Sequence, residues 1–587
     1  MASHRLRATT VVLVVIVIGC SRTSSTPTVQ NSGETESQKH SAITPTVEPM
    51  PHSPGLVPER DSDFEFYDVA SDAGIHFRYR NGEESDNLAV IENLGGGVAF
   101  LDFDNDGWQD VWSVGGGSIS ENQEIVGRSC GLWLNREAQF TNAASAAGVI
   151  ASDLYTHGVS VLDADNDGFS DVLVTGFEGA RLWMNCGDGT FAKLPSDALN
   201  SISGIATSCA SADFNGDGNP DLYVCTYVDW SFASNHPVCS AADDGKREWC
   251  SPKDFKGTPD YLFFGDGSGD FLRAEKNIGL KENGKGLGVI ASDLDQDGDI
   301  DLYVANDTTE NFFYQNENEV GFREIGILSG TALDERALPN GSMGLSTCDV
   351  DQDGRFDLWV ANYERESFAI YRNEGSNNYL HTSRNYGISA LGGQYVGFGT
   401  DWEDFNADGI EEIIVTNGHV LRYPTGAPRM QKPLLLCSRD GRFQRVEFPT
   451  SSYFSGSYAG RGLAVGDFNR DGSPDVLISH INSNIALLRN DCKSRGQSLA
   501  VRLVGTQSTR RAEGVILELS TSAGQQLKTL AGGGSYLSSN EAVVRFGIPE
   551  EAKISSLDVR WPSGSKQSFS GSSLDGMLEF LVVEPNE

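Results

Sequence analysis

At 587 residues the chain is long enough for more than one domain and for a large core. Its 82 acidic residues outweigh 44 basic ones, leaving a formal charge of -38. Such an excess repels phosphates and excludes nucleic acid as a partner.

The chain opens with Arg5 and Arg7, then the apolar run Val11 to Ile18, then Gly19 and Cys20. Eight apolar residues cannot cross a bilayer, so residues 1–20 read as an export signal rather than a span. Val17-Ile18-Gly19-Cys20 resembles a bacterial lipobox, in which Cys20 is lipidated and becomes the new N-terminus. The expected location is therefore outside the cytoplasm, lipid-anchored to the cell envelope or cell surface. Residues 21–62 are rich in Ser, Thr, Pro and Glu and poor in large apolar side chains. They cannot bury enough surface to fold and are expected to form a flexible tether. No later stretch is apolar enough to span a membrane, so the anchor is the expected membrane contact.

The sequence DFDNDGWQD at Asp102 to Asp110 then starts a series. Carboxylates at positions 1, 3, 5 and 9 surround a glycine at position 6, which permits a tight bend. An all-oxygen set of this kind suits calcium, a hard cation that takes six to eight oxygen ligands. Six more copies follow, at starts separated by 61, 50, 80, 56, 55 and 63 residues. The ligand positions are Asp102, Asp104, Asp106 and Asp110, then Asp163, Asp165, Asp167 and Asp171, then Asp213, Asn215, Asp217 and Asp221. The fourth and fifth loops offer Asp293, Asp295, Asp297 and Asp301, and Asp349, Asp351, Asp353 and Asp357. The last two offer Asp404, Asn406, Asp408 and Glu412, and Asp467, Asn469, Asp471 and Asp475. An EF-hand would need a glutamate at position 12 and flanking helices. Ser113 and Val174 hold that position in the first two loops, and the flanks are strand-like. A turn that only caps a hairpin explains one such loop, but not seven with one ligand spacing.

Each loop sits between a small-residue strand, such as GGGVAFLD or GLGVIASD, and an apolar one, such as DVLVTG or DLYVAND. A third strand follows, as in GLWLN, NFFYQN and IALLRN, and then a Gly/Asn/Asp turn into a fourth. Seven four-stranded meanders closing radially make a β-propeller, a closure that protects strand edges. The seventh unit lacks a fourth strand, and FEFYDVA at Phe64 to Ala70 is expected to supply it and tie the ring shut. The propeller is placed at 63–492. Residues 497–587 alternate with period two between Gly/Ser turns and read as a small β-sandwich domain.

These loops and strands resemble the FG-GAP/VCBS repeats of integrin-type propellers. TRRAEGVILEL, GGGSYLSSNEAVVRFGI and LDVRWPSG resemble the ASPIC/UnbV domain. The order of repeats and terminal domain, with Trp249-Cys250-Ser251-Pro252 in an insertion, resembles the cartilage-acidic-protein-like family. The resemblance implies an all-β fold, a seven-bladed β-propeller followed by a β-sandwich, and calcium as cofactor. Asn215, Asn406 and Asn469 weaken the carboxylate set of loops three, six and seven.

An exported chain favours disulfides. Cys239 and Cys250 close a short loop in the insertion, and Cys209 and Cys225 flank loop three, where a hairpin would set them face to face. Buried free thiols are an equally open reading of the second pair.

Calcium loops share one face of a propeller, so recognition is expected on the other. There blade three inserts Asp229 to Thr258, with Trp230, His236 and Trp249. Neighbouring blades add Asn306, Asp307, Asn362, Tyr363, Asn417, His419, His480 and Asn482. The alternative is that the insertion plugs the channel. No G-x-S-x-G elbow and no H-E-x-x-H motif occur, and no catalytic residue can be assigned. The expected function is calcium-dependent binding or adhesion to an extracellular carbohydrate or protein ligand. The alternatives are a calcium-dependent carbohydrate-active enzyme such as a polysaccharide lyase, and a structural envelope or matrix protein.

Overall fold

The computed structural model describes residues 63–586 apart from 150–152, 195, 242–244, 276–277, 319–320, 494 and 575. The export signal, Cys20 and the tether lie outside the described residues.

Among the described residues, seven antiparallel sheets follow one another along the propeller, six of four strands and the fourth with a fifth strand added from the C-terminal domain. The first contains Val98–Leu101, Asp110–Ser113, Gly131–Arg136 and Gln139–Asn142. In the seventh, Gly460–Gly466, Asp475–His480 and Ala486–Asn490 are completed by Phe66–Asp68 from the start of the described chain. Phe66 pairs with Asn490 and Asp68 with Leu488, so the ring is joined by a strand from its own beginning.

Small residues on the innermost strands have a packing cause. A Cβ at Gly158 would meet the carbonyl of Thr207 in the next sheet, and one at Gly288 that of Met343. The same holds for Gly344 against Phe398, Gly399 against Arg461, and Gly462 against Gly96, which joins the last sheet to the first. Outward from this tight inner ring, a separate apolar core fills each gap between neighbouring sheets. Val161, Trp112 and Phe191 belong to the core between the first two, and Val98, Phe100, Ala464 and Leu477 to the one that closes the ring. The architecture is an all-β propeller.

The C-terminal domain is a sandwich. A three-stranded sheet carries Gly496–Val504 between Val544–Pro549 and a parallel neighbour, Glu579–Val583. A four-stranded sheet contains Ile516–Thr521, Gln525–Thr529, Ile554–Arg560 and Lys566–Ser570. Leu499, Val501, Leu517, Phe546, Leu557 and Trp561 form its core.

Sequence reading leaves this domain without a role, yet it fills the propeller channel. Its segment Gly532 to Ser539 bonds to all seven sheets. Gly532 and Gly533 pair with Ala291 and Ile290 in sheet four. Ser535 exchanges backbone bonds with Leu345 in sheet five, while its Oγ accepts from the Thr400 amide and donates to the Leu463 carbonyl in sheets six and seven. Leu537 accepts from the Val159 amide in sheet two and donates to Ser208 Oγ in sheet three. Ser539 bonds the backbone of Val98 and Phe100 in sheet one. The insertion does not fill the channel alone; its Trp230, Cys250 and Phe255 share one buried cluster with Tyr536 and Leu537 of this plug.

Of the two cysteine pairs, Cys239 and Cys250 form a disulfide. Cys209 and Cys225 do not, which corrects the hairpin expectation: both are buried free thiols. The hairpin pairs Ala212, rather than Asp213, with Asp221, and the regular register that follows sets Cys209 opposite Val224. Side chains alternate along a strand, so Cys225 points to the other face of the sheet. Cys209 packs in the core toward sheet two, and Cys225 in the core toward sheet four.

Candidate functional site

All seven acidic loops share one backbone design. In the first, Asp102 accepts from the amides of Asp106 and Gly107, and Asp106 from that of Trp108. Asp110 accepts from Phe103 within the loop and from Asn135 on the third strand. Asp163, Asp213, Asp349, Asp404 and Asp467 repeat the pair of bonds from positions 5 and 6. Asp293 accepts from Gly298. Asp171, Asp221, Asp301, Asp357 and Asp475 repeat the link from loop to third strand. Glu412 accepts from the Phe405 amide. Glycine at position 6 has positive φ, between 81° and 107° across the loops. Position 4 is left-handed too, at Asn105, Asn166, Gln296, Gln352, Ala407 and Arg470, which sequence reading did not single out.

This geometry gathers like charges. In loops one, two, four and five, three carboxylates each place an oxygen within 4.8 Å of the others. Asn215 and Asn469 instead donate an amide to Asp217 and Asp471, and Asn406 Oδ1 accepts from the Asp408 amide. Burial, with neighbouring carboxylates adding to it, pushes Asp110 and Asp221 up to about 8 and Asp163, Asp171, Asp293 and Asp357 to about 7. Asp104 Oδ1 and Asp293 Oδ1 are buried with no hydrogen-bond partner among the described residues. Arg136 pairs with Asp104 and Asp106 in loop one, and Arg372 with Asp351 in loop five. All-oxygen donors, crowded charge and orphaned buried oxygens fit a hard dication such as calcium, which would neutralise the repulsion and cross-link the loop.

The C-terminal domain lies against this face. The Arg510 amide donates to Asn166 Oδ1 in loop two, and Arg560 to Gln296 Oε1 in loop four at 2.8 Å. Lys528 reaches Glu411 at 2.7 Å, beside loop six.

On the opposite face lies a cavity of about 610 Å³. The disulfide-closed insertion supplies Cys239, Glu248, Trp249, Cys250, Lys253 and Asp254 to its wall. Tyr227, Leu287, Asp307, Met343, Tyr363, Glu364, Glu366 and Phe398 complete much of the rest. Three of the residues singled out from sequence, Trp249, Asp307 and Tyr363, line it.

The others of that set are not among its lining residues. Asn306 Nδ2 donates to the Glu310 carbonyl, Asn362 Nδ2 to that of Ser367, and Asn417 Nδ2 to that of Lys432. His480 bridges Tyr453 and the Asn484 carbonyl, and Asn482 bonds Asn81. Trp230 is buried and donates to His236, with Phe232 edge-on to both rings. His419 Nδ1 accepts from the Leu421 amide, so Nε2 carries the proton and faces Tyr363 at 3.2 Å. Burial, with Arg461 and Arg429 nearby, lowers His419 to about 4 and keeps it neutral.

Glu364, Glu366 and Glu248 were missed by sequence reading. Glu364 and Glu366 sit in YERES directly after Tyr363, a turn whose charge reads as solvated. Glu248 accepts from the amides of Trp249, Arg422 and Tyr423 and thereby ties the insertion to sheet six.

The model for the ASPIC and UnbV family matches residues 505–586, and the FG-GAP-like repeat model matches 163–224, 293–360 and 349–415. Cartilage acidic protein 1 of Xenopus tropicalis is 23% identical over 499 residues, covering 73% of this chain and 74% of that protein. Its Mus musculus counterpart is 23% identical over 517 residues, with the same coverage. Among solved structures, an Agrocybe aegerita lectin for non-reducing terminal N-acetylglucosamine matches at 14% identity and TM-score 0.35, over 68% of this chain and 91% of its own. YCF48 bound to D1 peptide matches at 12% identity and TM-score 0.37, over 67% and 91%. These structural scores carry no functional argument. With five of its acidic loops in FG-GAP-like repeats and its channel plug in an ASPIC and UnbV domain, the chain joins the two domain types of the FG-GAP repeat plus UnbV family.

Proposed function

We propose that this chain is a calcium-binding, surface-anchored binding protein that recognises a carbohydrate or protein ligand on the propeller face opposite the acidic loops. One observation carries the reading. The loop face is contacted by the C-terminal domain, whereas the other bears a cavity of about 610 Å³ walled by a disulfide-closed insertion. That volume lies within the range of ligand sites, and loops on rigid scaffolds commonly carry recognition. Calcium acts in this reading on the scaffold: it relieves repulsion in the loops and stiffens the ring that positions the far face. The lipid anchor at Cys20 would hold the protein at a membrane surface.

The test replaces Asp229 to Thr258 with a short turn and screens glycan and protein arrays with and without calcium. Calcium-dependent melting should persist and saturable binding should vanish. Binding that survives the replacement, or that follows loop mutations instead, would place recognition elsewhere. Unsaturated products from acidic polysaccharides would instead favour a lyase.

A further inference from the structure

We infer that the cavity opposite the acidic loops takes an organic cation, an ammonium or guanidinium head on an apolar stem. The inference deepens the binding-face reading above and rests on it.

Charge comes first. Five carboxylates line the cavity, those of Glu248, Asp254, Asp307, Glu364 and Glu366, against one cation, Lys253. Glu248 is committed to three backbone amides. Lys285 stands behind the wall, donating to the Pro252 carbonyl at 2.6 Å and lying close enough to Asp307 to share its charge. Among the lining side chains and Lys285 behind them, four uncommitted carboxylates face two lysines, while Arg422, Lys246 and Arg461 stand over lining rings and Arg422 is paired with Asp86.

The carboxylates are also short of partners. Among the described residues, Glu364 Oε2 is buried with no hydrogen-bond partner, and His419 Nε2 is 3.7 Å away on a neutral ring. Asp307 accepts from the Tyr227 hydroxyl at 2.5 Å, and Glu366 from the Gly341 amide at 2.7 Å. Burial raises Asp307 to about 6 and Glu366 to about 7, as expected for carboxylates held without sufficient counter-charge.

The walls suit the rest of such a ligand. Tyr227, Trp249, Tyr363, Phe398 and Tyr423 line the same space, together with Leu287 and Met343. Aromatic faces attract cations, and three of these rings already do so within the chain. Arg422 lies 4.8 Å from the Trp249 centroid, Lys246 4.8 Å from Tyr423, and Arg461 4.0 Å from Phe398. An acidic sugar would meet like charge here, and a neutral one would leave Glu364 and Glu366 uncompensated.

The experiment is titration calorimetry on the full exported chain in millimolar calcium. The probes are hexyltrimethylammonium, the blocked tripeptide acetyl-Gly-Lys-Gly-amide, N-acetylglucosamine and glucuronate. At least one cation should bind saturably, and Glu364→Gln and Glu366→Gln should each weaken it by about tenfold. Both variants should keep the calcium-dependent melting of the parent, which separates lost charge from lost fold. Binding of hexyltrimethylammonium alone would identify a free small molecule as the ligand source. Binding of the tripeptide alone would identify a basic protein side chain, and either result supports the inference. If neither cation binds, or both Glu→Gln variants bind as the parent does, the inference falls. Trp249→Ala separates that failure from a wrong face. N-acetylglucosamine binding lost in Trp249→Ala but kept in the glutamine variants would preserve the face and overturn the cation. If neither cation binds and no other probe responds to Trp249→Ala, both readings fall.

Discussion

Asn490 ends the third strand of the sheet that closes the ring, and it holds three backbone groups at once. Its Nδ2 donates to the carbonyls of Phe405 in sheet six and Pro474 in its own loop, both at 3.0 Å, and its Oδ1 accepts from the Cys492 amide. Asn135, Asn185 and Asn316 make the same reach to Phe468, Phe103 and Phe214, each in the neighbouring sheet. Asn490→Ala should therefore destabilise the calcium-loaded protein by about 3 kcal/mol, because a buried polar group without a partner costs roughly 1–3 kcal/mol. Urea unfolding would read this as a lower midpoint at unchanged slope, and an unchanged midpoint would remove the latch. The asparagine at the end of GLWLN, RLWMN and IALLRN was legible as a repeated letter. Its role was not, because the partner is a carbonyl in another repeat, and strand periodicity says nothing of distant backbone. The Cys209 and Cys225 expectation failed for a related reason: which residue pairs with Asp221 across the loop, Ala212 rather than Asp213, cannot be read from spacing.

The acidic loop is the element that sequence made plainest, since ligand spacing, glycine and flanking strands all follow from one nine-residue pattern. What spacing hides is how strongly burial acts on it. Asp110 and Asp221 lie at about 8, and Asp163, Asp171, Asp293 and Asp357 at about 7, all raised first by burial. An unfolded aspartate titrates near 3.9. Between about pH 4 and pH 8 the metal-free folded state therefore binds more protons than the unfolded one, and its stability falls as pH rises. The penalty is absent below the unfolded value and fully developed above the folded values. In chelator, the melting temperature should accordingly climb on acidification from pH 8 to pH 5.5. The proposed calcium would bind the deprotonated loops, so at millimolar calcium the trend should flatten or invert, with the largest stabilisation at pH 8. At ten times its dissociation constant one site adds about 1.4 kcal/mol, and several sites should move melting by many degrees. Identical pH profiles with and without chelator would refute metal binding by these loops.

At the scale of the whole molecule, two domains that read as consecutive are one interlocked body. The propeller was legible because each repeat carries its own loop and strands, and the sandwich because its strands alternate. Their union was not, since GGGSYLSSNE has the composition of a surface turn. Gly and Ser are what a narrow channel admits, and the segment bonds chiefly through its backbone, which leaves no apolar pattern to detect. Two large side chains give it grip. Tyr536 and Leu537 are 0% and 1% exposed, and Tyr536 packs edge-on against Phe398 at 4.9 Å, a ring that also lines the far-face cavity. The plug thus spans from the acidic-loop face to the floor of the proposed binding site. Lys528 adds ion pairs with Glu411 and Glu403 at the domain junction. A body tied this way should unfold cooperatively, so calorimetry of the calcium-loaded chain should show one transition. Truncating a large buried side chain costs roughly 2–5 kcal/mol. The pair Tyr536→Ala and Leu537→Ala should therefore free the sandwich and split the trace in two, the propeller melting several degrees lower. The isolated Tyr536→Ala should also weaken any ligand that the far face binds, because Phe398 loses its support. A double variant that still melts in a single unshifted transition would show that the channel segment does not bind the two domains together.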